Sequence, residues 1–258
     1  MFYYLHYFAG DGWPVLNVFK SVSFRAAFAA VTAFMICIIF APHFIAFLRS
    51  RKIEEDVAKK DSEFLVEKHA SKKHTPTMGG VITLTSILVT MLLWCRLDVV
   101  FMPLCFLTIL ALGLVGFYDD YIKLTATKAD GLTRREKLFY QFLIGGGVGL
   151  YLHWYGDPNL ATKLVIPFTD NYYWPGLGAF FIVWAAIVMT GSSNAVNLTD
   201  GLDGLATLCI TTVAVAFGLI AYFAGHAGIA EHLGMPRVRG ARSPPIRGSW
   251  FHVRPTNP

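Results

Sequence analysis

The sequence contains few charged residues: Asp, Glu, Lys and Arg make up 15% of its 258 residues, against 55% hydrophobic residues. This composition excludes disordered, collagen-like and disulfide-scaffold chains, and it is too apolar for one soluble domain to bury. A net charge of only +5 gives no reason to expect a nucleic-acid partner. No C-x-x-C pair occurs, which argues against a zinc or redox motif; the cysteines are Cys37, Cys95, Cys105 and Cys209. The sequence therefore predicts a membrane protein.

Six apolar stretches are long enough to cross a bilayer core, which takes roughly 20 apolar residues per helix. They lie near residues 22–48, 78–95, 99–118, 138–155, 176–193 and 205–224. The first lacks a small-residue cleavage site, so we interpret it as a membrane helix and not as a signal peptide. The predicted fold class is all-α: a polytopic transmembrane helix bundle with about six spans in residues 1–233.

Two charged loops indicate the orientation of the chain. Residues 49–77 contain eight Lys or Arg and residues 119–137 contain five, and six spans would place both loops on one side. By the positive-inside rule this side is cytoplasmic, and the N-terminus is then periplasmic. Glycines inside the third and fourth spans predict close helix packing and not a phosphate loop; they are Gly113, Gly116, Gly145, Gly146, Gly147 and Gly149.

Three polar segments fall on the predicted cytoplasmic side. In the first, Lys72 to Gly80, lysines and threonines that suit phosphate run directly into a span. The second contains Asp119 and Asp120 at a membrane boundary, with Lys123 one helical turn later. Adjacent carboxylates at such a position need a cation or a lysine partner, and their hard oxygens suit Mg²⁺.

The third segment, Ser192 to Gly204, has amide or carboxylate side chains every three residues at Asn194, Asn197, Asp200 and Asp203. Its glycines predict a broken or looped segment that exposes backbone groups to a ligand. Together the three segments offer carboxylates for a metal, lysines for phosphate, and hydrogen-bonding groups for a sugar or base. Phosphoryl transfer at a membrane surface fits all three.

At these residues the chain resembles the phospho-N-acetylmuramoyl-pentapeptide transferase family, within the polyprenyl-phosphate N-acetylhexosamine 1-phosphate transferase superfamily. Thr-Pro-Thr-Met-Gly-Gly and Asn-Leu-Thr-Asp-Gly-Leu-Asp-Gly are its most specific motifs here, and the similarity extends to about residue 233. The resemblance implies transfer of phospho-N-acetylmuramoyl-pentapeptide from UDP to undecaprenyl phosphate in the bacterial inner membrane. The products are lipid I and UMP, and Mg²⁺ is the cofactor.

The resemblance also implies roles for individual residues. Asp119 would act as a base or position a phosphate, and Asp120 would lie beside the metal, so both are candidate metal ligands. Asp200 is the third candidate catalytic residue. The candidate substrate-binding residues are Lys72, Thr75, Thr77, Lys123, Asn194, Asn197, Gly201, Leu202 and Asp203. A homodimer is a further implication, and a one-step and a two-step mechanism both remain open.

The sequence departs from the family after about residue 234. Family members continue with a Gly-Asp-x-Gly-Ser-Leu-like segment, whose aspartate binds Mg²⁺, and with a histidine-rich loop; neither occurs here. Residues 235–258 instead contain five arginines, five prolines and no acid or lysine. We interpret this tail as disordered or frameshift-derived and the domain as incomplete, and we expect little activity from the chain alone.

Three other functions stay open at this point. A related enzyme could transfer N-acetylglucosamine 1-phosphate to a polyprenyl phosphate, or the chain could be an inactive truncated paralogue. A transporter would also contain intramembrane Asp and Asn, but at mid-membrane depth. The predicted clustering of polar motifs at one face favours chemistry on a soluble donor and a lipid acceptor.

Overall fold

The computed structural model describes residues 1–8, 13–50, 78–99, 101–125, 131–156, 164–165, 173–174, 176–200 and 204–233. Two 3₁₀ helices, Phe2–Phe8 and Pro14–Lys20, come first. The α-helices within these ranges are α1 Val22–Ser50, α2 Gly80–Trp94, α3 Phe101–Thr125, α4 Arg134–Tyr155, α5 Phe180–Thr199, α6 Leu205–Gly225 and α7 Ala227–His232. One two-residue antiparallel pair, β1 Leu164–Val165 with β2 Tyr173–Trp174, accompanies them. The prediction of an all-α polytopic fold is confirmed.

A helix lies in each of the six predicted spans. Four are long and apolar enough to cross a membrane: α1, residues 101–124 of α3, α5 and α6. Helix α2 is apolar but only 15 residues long, and α4 has 22 residues with a charged first turn. Many large apolar side chains are exposed on these helices, as lipid-facing residues should be; Leu107 is 59% exposed and Phe217 is 68% exposed.

The chain divides into two compact units, residues 1–137 and 138–258. In the first unit α2 packs against both α1 and α3. The Trp94 indole N–H of α2 donates to Thr32 Oγ1 of α1 over 2.9 Å. A Cβ atom at Gly113 of α3 would overlap the Leu84 side chain of α2, so the predicted packing role of Gly113 is confirmed. A Cβ at Gly116 would meet nothing within 4 Å.

The N-terminal segment of the first unit packs an aromatic ring against two cations. The guanidinium carbons of Arg25 and Arg96 each lie 4.7 Å from the centre of the Tyr3 ring. Arg96 also pairs with Asp98, which accepts a hydrogen bond from the Tyr4 hydroxyl over 3.2 Å. The hydrogen bond from Arg96 holds the pKa of Asp98 below its ordinary value. Asp98 is thus a structural carboxylate of the loop that follows α2.

In the second unit α4 and α5 approach each other closely at two glycines. A Cβ atom at Gly145 would lie 2.8 Å from the Ala186 Cα atom, and one at Gly149 would lie 2.9 Å from the Ile182 Cα atom. Both distances are too short for any side chain, so the backbones meet because these positions carry none. The predicted packing role is confirmed for Gly145 and Gly149.

Candidate functional site

The described part of the first unit contains a cluster of charges around Asp119, near the end of α3. Asp119 is 7% exposed, and its Oδ2 atom accepts a hydrogen bond from Lys123 Nζ over 2.8 Å. Lys137 Nζ of α4 lies 3.9 Å from the same oxygen. Lys123 Nζ also donates to Asp120 Oδ1 over 3.3 Å. Two ammonium groups therefore offset the cost of burying the Asp119 charge.

A tight turn before α4 supplies the other partner of Asp119. The Leu132 backbone N–H donates to Asp119 Oδ1 over 2.9 Å. Gly131, one residue earlier, has a φ of +63°, which L-residues with a side chain rarely adopt. A Cβ atom there would lie 2.5 Å from Asp119 Oδ1 and 2.8 Å from Lys123 Cε. The turn can close on the carboxylate only with glycine at this position.

The first turn of α4 is held by a capping box. Glu136 Oε2 accepts hydrogen bonds from the Thr133 backbone N–H over 2.9 Å and from its hydroxyl over 2.7 Å. In return, the Glu136 N–H donates to Thr133 Oγ1 over 3.3 Å. The hydrogen bond from the Thr133 hydroxyl lowers the pKa of Glu136, and the bond from the Thr133 N–H lowers it further. This arrangement fixes where α4 begins, and so it places Lys137 beside Asp119.

The two carboxylates differ in how well they suit Mg²⁺. In the part of the chain that the structure describes, no three His, Cys, Asp or Glu side chains form a metal cluster. Mg²⁺, however, often takes only one or two carboxylates together with water and substrate phosphates. Asp120, whose side chain is 41% exposed, can supply such an oxygen. Asp119 already faces two ammonium groups that repel a divalent cation, so its position is less suited to Mg²⁺ than that of Asp120.

The predicted break in the third polar segment is confirmed in the second unit. Helix α5 ends at Thr199, and its last backbone bond runs from Asp200 N–H to the Val196 carbonyl over 3.2 Å. Asn197 and Asp200 are exposed at this end. Gly204, with a φ of +85°, precedes α6. An exposed amide and an exposed carboxylate are therefore presented at a helix terminus, where both can hydrogen-bond a polar ligand.

Asn194, one turn before Asn197, makes its hydrogen bonds inside the protein. Its Nδ2 atom donates to the Gln141 side-chain oxygen of α4 over 2.7 Å and to the Thr190 carbonyl over 2.8 Å. Both amide hydrogens are thus engaged inside the protein, and a ligand contact by Asn194 would have to use its carbonyl oxygen. Gln141 itself is 4% exposed and was missed by the sequence reading. Its signal was a lone amide in the apolar run 138–155.

An apolar cavity of about 290 Å³ lies between α5 and α6, beside the helix break. Val196 and Thr199 of α5 line it together with Cys209 and Phe217 of α6. Its lining suits hydrocarbon better than a polar ligand.

Several predictions fall outside the described residues: Lys72, Thr75, Thr77, Gly201, Leu202, Asp203 and the tail of residues 234–258. The last part of the first motif is described, and there Met78 is buried with a φ of +71°. A positive φ at a residue other than glycine is uncommon and often accompanies a functional segment.

Comparison with known proteins gives several similar bacterial sequences, each named phospho-N-acetylmuramoyl-pentapeptide-transferase. The protein from Citrifermentans bemidjiense is 39% identical over 241 residues, which cover 93% of this chain and 65% of that protein. The Pelobacter propionicus protein is 37% identical with the same coverage. The Endomicrobium trichonymphae protein is 39% identical over 244 residues, or 93% and 66% of the two chains. This chain thus spans about 65% of the length of the first two relatives.

A family model described as glycosyl transferase family 4 matches the part of the chain that contains both sites. It matches residues 102–235, a range that includes the Asp119 cluster and the end of α5. The chain belongs to glycosyl transferase family 4.

Proposed function

We propose that this chain transfers phospho-N-acetylmuramoyl-pentapeptide from its UDP carrier to undecaprenyl phosphate, giving lipid I and UMP. This is the first membrane step of peptidoglycan synthesis. The names of the relatives support the substrates. The observation that carries the proposal is the buried Asp119 carboxylate, held between two lysine ammonium groups at the end of an apolar helix. Such cations are suited to phosphate oxygens.

Lys123 and Lys137 bind phosphate oxygens in this proposal, and Asp119 positions them. An ammonium group has three N–H donors, and Lys123 uses two on Asp119 and Asp120. Among the described residues these are its two acceptors, and in this proposal the third donor binds a phosphate of the donor or of the lipid. Because the Leu132 N–H and the Gly131 turn hold Asp119 in place, this donor is oriented before substrate binds.

Mg²⁺ is the cofactor that we propose, with Asp120 as the described residue that would hold it. When bound, it would neutralise charge developing on the diphosphate as UMP leaves. In this proposal Asp120 uses its Oδ2 atom for this purpose, while Lys123 donates to its Oδ1 and limits its rotation.

The end of α5 binds the nucleotide-sugar in this proposal. Asn197 and Asp200 hydrogen-bond the donor, and Gly201, Leu202 and Asp203 hold its uridine end, as the family resemblance implies. The apolar cavity between α5 and α6 takes part of the polyprenyl chain of the acceptor. Its small volume means that most of the chain lies in the bilayer.

The proposal requires a cytoplasmic donor site on a bacterial inner-membrane protein. A reporter fused at Thr127, within the segment 119–137 that contains five Lys or Arg, is expected to read cytoplasmic, whereas one fused at Asn159 reads external. Alkaline phosphatase and green fluorescent protein fusions at both positions measure this. Reversal of either signal would place the charged loops outside and contradict the proposed site.

A substrate competition assay tests the reaction itself. Purified chain in lipid nanodiscs is given undecaprenyl phosphate, Mg²⁺ and either UDP-N-acetylmuramoyl-pentapeptide or UDP-N-acetylglucosamine, and UMP release and lipid-linked product are measured. We expect product from the peptide-bearing donor only, at the low rate expected of this chain alone. Product from UDP-N-acetylglucosamine would favour the related hexosamine transferase. Turnover of neither donor would identify an inactive paralogue and overturn the proposal.

A further inference from the structure

The contact between α4 and α5 continues beyond its two glycines toward the functional end of α5. It follows two stripes of residues spaced four apart, at positions 141, 145 and 149 of α4 and 182, 186 and 190 of α5. Residues at this spacing lie on one face of a helix. At Gly145 and Gly149 the helix backbones contact each other directly, whereas at Gln141 the contact is made by a side chain.

Gln141 uses both ends of its amide to bind α5. Its Nε2 donates to Ser193 Oγ over 2.9 Å, and its Oε1 accepts from Asn194 Nδ2 over 2.7 Å. The second Asn194 hydrogen goes to the Thr190 carbonyl. Because Gln141 is almost fully buried, rotation of α5 out of this register would leave buried amides without partners. Such groups are costly inside a membrane protein.

We infer that Gln141 is a positioning residue, which acts through Ser193 and Asn194 to fix the rotation of the last turn of α5. That rotation decides the direction in which the exposed Asn197 and Asp200 face. Asn194 in this assignment is the partner of Gln141. The consequence for the nucleotide-sugar rests on the proposed function, whereas the restraint on the helix end does not.

Hydrogen–deuterium exchange of the chain in nanodiscs measures the restraint directly. In Gln141→Leu, backbone amides of residues 196–200 are expected to exchange about tenfold faster, because the two side-chain bonds are lost. Thr212→Val is the control, since in the described part of the chain the Thr212 hydroxyl donates within α6, to the Leu208 carbonyl. It should leave these amides at the wild-type rate. Unchanged exchange in Gln141→Leu would overturn the inference.

Two further variants separate positioning from loss of folding. Ser193→Ala removes only the Nε2 bond and should give a smaller acceleration at the same amides, so it decides the matter if Gln141→Leu does not fold. Gln141→Glu should restore slow exchange at pH 5, because burial at this site raises the pKa of the introduced carboxyl, and the neutral acid again has one acceptor for Asn194 and one donor for Ser193. Failure of Gln141→Glu to restore it, with wild-type exchange in Ser193→Ala, would exclude a hydrogen-bonded role.

The kinetic readout is the KM for the UDP-linked donor. Gln141→Leu should raise it about tenfold while changing kcat less, since the misdirected groups bind the donor. Faster exchange without any turnover in the wild-type chain would confirm the restraint and contradict the proposed transferase. Normal exchange with a raised KM would contradict the restraint alone. The two hypotheses therefore fail separately.

Discussion

Replacing Asp119 by asparagine is expected to lower the rate of UMP release by at least about 100-fold, the usual cost of losing one preorganised charged group. Asparagine can still accept the Leu132 N–H with one oxygen. Its amide nitrogen, however, would then point at the Lys123 ammonium, where Asp119 Oδ2 now accepts over 2.8 Å. Donor would face donor, and both lysines would lose the charge that orients them.

A second readout tests the same geometry without turnover. An amine-reactive reagent should label Lys123 and Lys137 faster in Asp119→Asn than in the wild type, measured by mass spectrometry, because the ion pairs no longer hold them. Asp98→Asn is the control, since Asp98 is paired with Arg96 elsewhere in the first unit. It should change both readouts by less than about twofold. Unchanged lysine labelling in Asp119→Asn would contradict the cluster as described.

The Asp119 cluster shows how far sequence reasoning could reach. The pairing of Asp119 with Lys123 was predictable because residues four apart on a helix face each other. The Leu132 N–H lies 13 residues from Asp119, and its position depends on a loop conformation that no periodicity encodes. The available signal was a glycine two residues before a Thr-x-x-Glu capping box. That pattern predicts a turn and a helix start, but not which carboxylate the turn meets.

The helices were predictable for a different reason. Long apolar runs in a membrane chain can satisfy their backbone groups only as helices, and the six predicted runs contain six helices. The break after Thr199 was also predictable, because glycine follows a polar stripe. Which helices pack against each other was not predictable, because contacts such as Gln141 with Asn194 join residues 53 positions apart. A lone glutamine in an apolar run indicates a buried hydrogen bond, but the sequence does not show which residue is its partner.

Replacing Gly145 by alanine is expected to destabilise the second unit by about 1–3 kcal/mol, the cost of overfilling a close-packed contact. The new methyl group would lie 2.8 Å from the Ala186 Cα atom and 3.3 Å from the Met189 Cβ atom. Neither neighbour can move as a flexible side-chain end would, because one is backbone and the other is fixed to it. The helices must therefore separate. Thermal unfolding in nanodiscs or detergent measures the loss.

Gly147→Ala is the matched control, two residues further along the same helix. A Cβ atom there would meet nothing within 4 Å, and alanine favours the helix over glycine by up to about 1 kcal/mol. The same chemical change should thus stabilise the protein at position 147 and destabilise it at position 145. Equal effects would show that helix propensity, and not the α4–α5 contact, governs both sites. Because Gly145→Ala pushes α5 away from α4, it should also speed amide exchange at residues 196–200, although Gln141 is intact.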